Sequence, residues 1–143
     1  MGLTDVELAW AAGLFEGEGS IYSCPMRYNS RTGRIGIRLE LHMTDEDVVR
    51  RFGEIVGIGT VRGPYRSGGD DRFRPRWKWR ASGAAAVKFL TESGILDLLG
   101  ERRRGRAEAI LAALEEQGPP PAGYQRCKPG CVCGRHSAKR RAA

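Results

Sequence analysis

A chain of 143 residues with 41% hydrophobic residues can bury one core of ordinary size, and its net charge is +7. No apolar run reaches the roughly 18 residues of a membrane span, and the first residues lack the basic start and continuous apolar stretch of a secretion signal, so the expected compartment is the cytoplasm. From Tyr124 onward there are six Lys or Arg and no acid, which leaves the first 123 residues at +1. A near-neutral body with sorted charge points to one basic face and a polyanionic partner; a membrane surface is the poorer match, because no basic amphipathic helix with a large apolar face is present.

Thr4-Asp5-Val6-Glu7 is a capping box, so a helix is predicted to start at Thr4 and to end at Gly19. Leu8, Ala12 and Phe15 fall on one side of it, and Ala9, Gly13 and Gly17 on another. The second set recurs every four residues and forms a stripe with almost no side chain, on which two helix backbones can approach closely. The stripe ends in Glu16 and Glu18. Such acids brought together from two helices are unfavourable unless a cation or a proton neutralises them.

Residues 20–28 can form a strand and 29–33 a turn. Residues 34–42 alternate: Ile35, Ile37, Leu39 and Leu41 point one way, Arg34, Arg38, Glu40 and His42 the other, the pattern of a half-buried strand that completes a hairpin. Residues 44–47 open a second helix with Val48, Phe52 and Ile55 at helical spacing and a stop at Gly57 or Gly59. Residues 60–66 and 72–80 read as two more strands around a Gly-rich connection. In the second, Phe73, Trp77 and Trp79 share one face, and Arg72, Arg74, Arg76, Lys78 and Arg80 share the other; Pro75 argues for a free edge or a bulge nearby. Ser82 is predicted to cap a third helix running to about residue 92, with Val87 and Leu90 inward. An apolar patch follows at 95–99, then a last helix over 103–117 with Ala107, Ile110, Leu111 and Leu114 inward, and Pro119-Pro120-Pro121 closes the domain. The order is αββαββα(α), an α+β chain with one copy of the acidic stripe, which implies a homodimer.

Two further constellations stand out. The basic strand face suits recognition of phosphates and guanine edges, and a two-stranded ribbon fits the major groove; a solvated basic strand with no partner is the plainer alternative. At the C-terminus, Cys127, Cys131, Cys133 and His136 lie within ten residues. In a chain of this kind, such clustering reads as metal binding before disulfide, and the set can close a tetrahedral Zn²⁺ site whose metal would supply the folding energy of a coreless segment; a disordered basic tail with incidental cysteines is the other reading. Cys24, alone in a strand, reads as a small buried residue.

The stretch AAGLFEGEGSI resembles the signature of the LAGLIDADG homing endonucleases. Ala12, Gly13 and Leu14 match A-G-L, Phe15 the next apolar place, Glu16 the first acid, Gly17 the small residue, Glu18 the second acid and Gly19 the closing glycine. Ala11 stands where the family has its first Leu, and both acids are Glu where the named motif has Asp. The resemblance implies an endonuclease-like domain over residues 1–117, with signature helices at the dimer interface and a four-stranded antiparallel sheet saddling the DNA major groove. Residues 118–123 are then a Pro-rich linker and 124–143 a basic tail similar to the zinc knuckles of phage and mobile-element nucleases.

The expected activity is site-specific, Mg²⁺-dependent hydrolysis of double-stranded DNA. Mg²⁺ shared by two carboxylates and the phosphate activates water without a protein nucleophile, and the chain offers no Ser-His-Asp set. Glu18 is the expected catalytic metal ligand. The resemblance adds the backbone carbonyl of Gly17 as a second ligand, while Glu16 reads chiefly as a buttress of the helix end. By position, Asp45 and Arg103 resemble polar family residues that order active-site waters or approach the scissile phosphate, where the family usually has Gln or Lys; a helix-capping Asp and a surface Arg are the plain alternatives. Two rivals share the fold: a DNA-binding regulator that does not cleave, and an RNA-binding splicing factor of the maturase type.

Overall fold

Helix α1, Asp5–Glu18, starts as its capping box predicts: Thr4 Oγ1 accepts the Glu7 N–H at 3.3 Å, and the Glu7 carboxylate accepts the Thr4 N–H at 2.9 Å. This computed structural model describes residues 2–25, 33–66 and 74–119. Arg72, Phe73 and the cysteine-rich tail with Cys127, Cys131, Cys133 and His136 lie outside the described residues, as does the tip of the first hairpin.

The remaining elements are β1 Gly19–Pro25, β2 Ile35–Met43, α2 Glu46–Val56, β3 Thr60–Tyr65, β4 Arg76–Ser82, α3 Ala84–Glu92, α4 Ile95–Leu98 and α5 Glu101–Gln117. The strands form one antiparallel sheet in the order β1-β2-β4-β3. Alternation decides its faces. Ile21, Ile37, Leu39, Leu41, Trp79 and Ala81 are buried on one face, beneath the helices. Trp79 sits at the centre, edge-on to Phe52 and Phe15 at 4.9 and 6.4 Å, and its Nε1–H donates to the Ile58 carbonyl at 2.9 Å. This satisfies the one polar atom that burying an indole would otherwise strand. The opposite face carries Tyr22, Arg38, Glu40, His42, Arg62, Lys78 and Arg80.

Several sequence expectations shift. Helix α2 buries Val49, Phe52 and Val56, with Val48 and Ile55 at its margins; both sets contain Phe52, and a 3.6-residue period does not choose between the flanks. Likewise α3 buries Ala86, Phe89 and Leu90, with Val87 half-buried. Ser82 does not cap that helix. It ends β4 opposite Arg38, and Gly83 takes the cap position at φ +65°, its N–H donating to the Ile37 carbonyl. Pro75 lies just before β4, which is an inner strand; the register break is in the facing edge strand, between Arg62 and Tyr65. The apolar patch after α3 is a helical turn, α4, that buries Ile95. Cys24 is half-buried and shares the open face of β1 with Ser20 and Tyr22. No helix among the described residues is long and apolar enough to cross a membrane.

Beyond Arg38, where β4 ends, β2 runs on to Ile35. There Gln117 at the end of α5 completes the ladder: its Oε1 accepts the Ile35 N–H at 2.7 Å and its Nε2 donates to the Ile35 carbonyl at 3.0 Å. Arg34 adds bonds to the carbonyls of Gln117 and Gly118 at 3.0 and 2.5 Å. Arg34 is therefore half-buried under the last helix, away from the solvent face that alternation gave it.

Candidate active site and nucleic-acid interface

Helix α1 ends in two carboxylates, which is the unfavourable end for them: the last turn carries partial negative charge and contains no basic residue. Glu16 is compensated. Its Oε2 accepts the N–H of Gly100 at 3.1 Å, its Oε1 lies 3.5 Å from Arg103 Nε, and Arg103 also donates to the main-chain carbonyls of Glu16 and Gly19. So Glu16 joins the end of α1 to the start of α5, and Arg103 is a tether between the same two elements. Glu18 is exposed and makes no hydrogen bond or ion pair among the described residues. Gly19 is required by space, since a β-carbon there would collide with the ring and the carbonyl of Phe15.

Glu18 opens into a cleft of about 630 Å³ lined also by Ser20, His42, Met43, Thr44, Asp45 and Arg76. Asp45 is the N-cap residue of α2, yet its side chain makes no capping hydrogen bond, so its carboxylate remains available to the cleft. Among the described residues, no three metal-ligating side chains come together; the carboxylates of this cleft are Glu18 and Asp45. An uncompensated carboxylate at the negative end of a helix fits a cation as its neutralising partner.

The open sheet face continues from this cleft. Arg38 lies over the Tyr22 ring at 5.8 Å, and Lys78 over Tyr65 at 5.5 Å. At its centre lies Glu40, 7% exposed. Burial pushes the Glu40 carboxyl pKa up, but hydrogen bonds from Tyr22, His42 and Arg80 and the charge of Lys78 outweigh it and hold the pKa below the usual value. Burial, with the bond to Glu40, raises the Tyr22 phenol. Arg74 is exposed just before β4. A second pocket, of about 440 Å³, is lined by Ser20, Ile21, Tyr22, Arg102, Arg103 and Arg106. Basic residues concentrate over 102–106 in the sequence, but only Arg103 of them has a site role there. The signal for Arg102 and Arg106 was the i, i+4 spacing of two basic residues in the first turns of α5.

On the bare stripe, Ala9, Gly13 and Gly17 are all exposed, and β-carbons built on Gly13 and Gly17 meet nothing within 4 Å. The stripe is therefore uncovered among the described residues.

No protein-family model and no curated protein sequence matches the chain. Solved structures do. The homing endonuclease I-CvuI in complex with its target is similar at 21% identity and a TM-score of 0.61, over 78% of this chain and 67% of that one. The homing endonuclease I-TnaI gives 19% identity and a TM-score of 0.60, over 80% and 77%. I-GzeII, a LAGLIDADG homing endonuclease in complex with its DNA target, gives 11% and 0.60, over 86% and 41%. This chain has the LAGLIDADG homing endonuclease fold. Within that fold, the signature stretch of this chain is α1 and the start of β1, and its second acid, Glu18, is the one that faces the cleft.

Proposed function

We propose that this chain is a site-specific double-strand DNA endonuclease that acts as a homodimer and uses Mg²⁺ at the ends of its signature helices. One observation carries the reading: the carboxylate of Glu18, which has no partner among the described residues, lies in the same cleft as His42 and Arg76 of the open sheet face. A basic surface able to hold a duplex and an acid able to hold a cation thus meet at one place. A single chain offers few ligands there, and a second copy docked on the Ala9-Gly13-Gly17 stripe would bring a second Glu18 beside the first. Glu18 and the Gly17 carbonyl would hold the Mg²⁺, which when bound supplies a polarised phosphate and an activated water. Asp45 would orient water at the rim of the cleft, while Arg38, Arg74, Arg76, Lys78 and Arg80 hold and read the duplex. The zinc assignment to Cys127, Cys131, Cys133 and His136 rests on their spacing. It is checked by counting about one zinc per chain, which a Cys131→Ser, Cys133→Ser variant must lose.

The deciding experiment incubates the wild type and Glu18→Gln with a randomised duplex library, in Mg²⁺ and in Ca²⁺. The expected result is cut ends around a shared, roughly palindromic motif with wild type in Mg²⁺ only, the variant being slower by about a hundredfold or more, beyond the loss of an outer-shell partner. Motif enrichment without cutting by either protein would make the chain a DNA-binding protein. Failure to enrich duplex DNA would overturn the reading and make structured RNA the next ligand to try.

A further inference from the structure

Among the described residues, the one acid on the open face has a position that a general DNA-binding surface does not explain. Glu40 lies opposite Ser20 on one side and Arg80 on the other. Its Oε1 accepts Arg80 Nε–H at 2.5 Å, and His42 Nε2 lies 3.2 Å from its Oε2. The Glu40 side chain is 9% exposed and the Arg80 side chain 43%. The acid is thus buried, while the arginine that it holds is partly exposed.

We infer that Glu40 is a positioning residue for base recognition: by holding Nε of Arg80 it aims the Nη1/Nη2 edge of that guanidinium outward as a fixed fork for one guanine in each half-site. The inference rests on the DNA-binding reading above and adds a residue-level source of its specificity. Its physical basis is the geometry of the guanidinium. Arginine has two edges that can donate in parallel, and a carboxylate on Nε removes one and leaves the other, which matches guanine O6 and N7. A long side chain so held loses its rotamer freedom on folding and not on binding. The pair is also nearly neutral, so Arg80 gains little from a phosphate and discriminates by direction. Arg74, exposed and with no such acid among the described residues, belongs to the other class, which attracts any duplex.

The test is a binding selection from a randomised duplex library, in Ca²⁺, with wild type, Glu40→Gln, Arg80→Lys and the Glu40→Gln, Arg80→Lys double variant. Glu40→Gln is expected to lose preference at one base pair per half-site by about 5- to 150-fold, the worth of one bidentate contact. It should also bind unrelated duplex more tightly, with a salt dependence steeper by about one charge per chain. A merely structural role for Glu40 would weaken all binding instead. Arg80→Lys keeps an ion pair but has no fork, so it should lose preference at the same base pair, and the double variant should be no worse than the worse single one. Wild type that enriches a motif together with a Glu40→Gln protein that keeps every base preference overturns this inference and leaves the DNA reading standing. Wild type that enriches no duplex overturns both. If Glu40→Gln fails to fold, as read by circular dichroism, Arg80→Lys decides, and unchanged preference in that variant overturns the inference.

Discussion

Arg103 Nε–H donates to the main-chain carbonyl of Glu16 at 2.9 Å, and the same guanidinium reaches the carbonyl of Gly19. The last carbonyls of a helix have no partner within it, and here a side chain from α5 supplies one on each side of Glu18. Arg103 is thus bonded to both flanks of the proposed ligand while its own side chain is only 16% exposed. Arg103→Ala should lower unfolding free energy by about 1–3 kcal/mol, the cost of leaving buried acceptors unpaired, and should reduce cleavage beyond its effect on DNA affinity. Arg103→Lys, a point charge without a fork, should recover only part of either. Denaturant unfolding and single-turnover cleavage check both numbers, and an unchanged unfolding midpoint in Arg103→Ala would remove the tether.

The bare stripe on α1 gives opposite signs for the chain and for its assembly. A glycine inside a helix costs about 0.5–1 kcal/mol relative to alanine, and neither Gly13 nor Gly17 is repaid by a close neighbour among the described residues. Gly13→Ala should therefore stabilise the isolated helix while weakening the dimer, and Gly13→Leu should leave a folded monomer without cleavage activity. Sedimentation at several concentrations measures the association. Dimers of undiminished affinity in Gly13→Leu would place the interface elsewhere.

What could be read in the sequence was local or periodic. The Thr4–Glu7 box spans one turn, and both strand faces follow from a period of two, so Leu39 and Trp79 fall inside and Arg38 and Lys78 outside as alternation requires. Helix faces were less legible, because adjacent 3–4 spacings share Phe52. Bonds between distant residues left no pattern at all: Gln117 on Ile35, Arg34 on Gly118, and Arg103 on Glu16 each join elements far apart in sequence. The acids of the cleft divide in the same way. Two carboxylates at the wrong end of a helix were visible as a broken local rule, but that Glu16 is satisfied by Gly100 and Glu18 is not depends on where α5 begins. Alternation placed Glu40 on the basic face without naming Arg80 as its partner.

Glu40 also sets a pH dependence. Its folded pKa lies below the ordinary carboxyl value of 4.5, because the bonds from Tyr22, His42 and Arg80 and the charge of Lys78 overcome desolvation. A depressed folded pKa contributes stability that is present in full above the unfolded value and is lost as pH falls through the folded one. Acid unfolding should therefore steepen below about pH 4.5, and Glu40→Gln, which cannot ionise, should flatten that limb while being less stable at neutral pH. Unfolding midpoints between pH 3 and 7, as an approximate window, give the comparison. Parallel curves for the two proteins would mean that the carboxylate is not held ionised by its neighbours.

The arginine pocket beside Ser20 gives the last prediction. Ser20 lines both this pocket and the cleft of Glu18, so the two are neighbours, one acidic and one basic. A duplex whose phosphate enters the cleft would present the next phosphates of the same strand within reach of Arg102 and Arg106, which make no hydrogen bond or ion pair among the described residues. Guanidiniums that meet phosphates add affinity without reading bases, and each neutralised phosphate adds about one unit to the salt dependence of binding. Arg102→Ala with Arg106→Ala should weaken binding to every duplex by a similar factor, lower the salt slope by up to about 2 per chain, and leave the selected motif unchanged. That pattern is the inverse of the one expected for Glu40→Gln, so the two variants measured together separate residues that hold DNA from residues that choose it. A changed motif in the arginine variant would move this pocket to the reading surface.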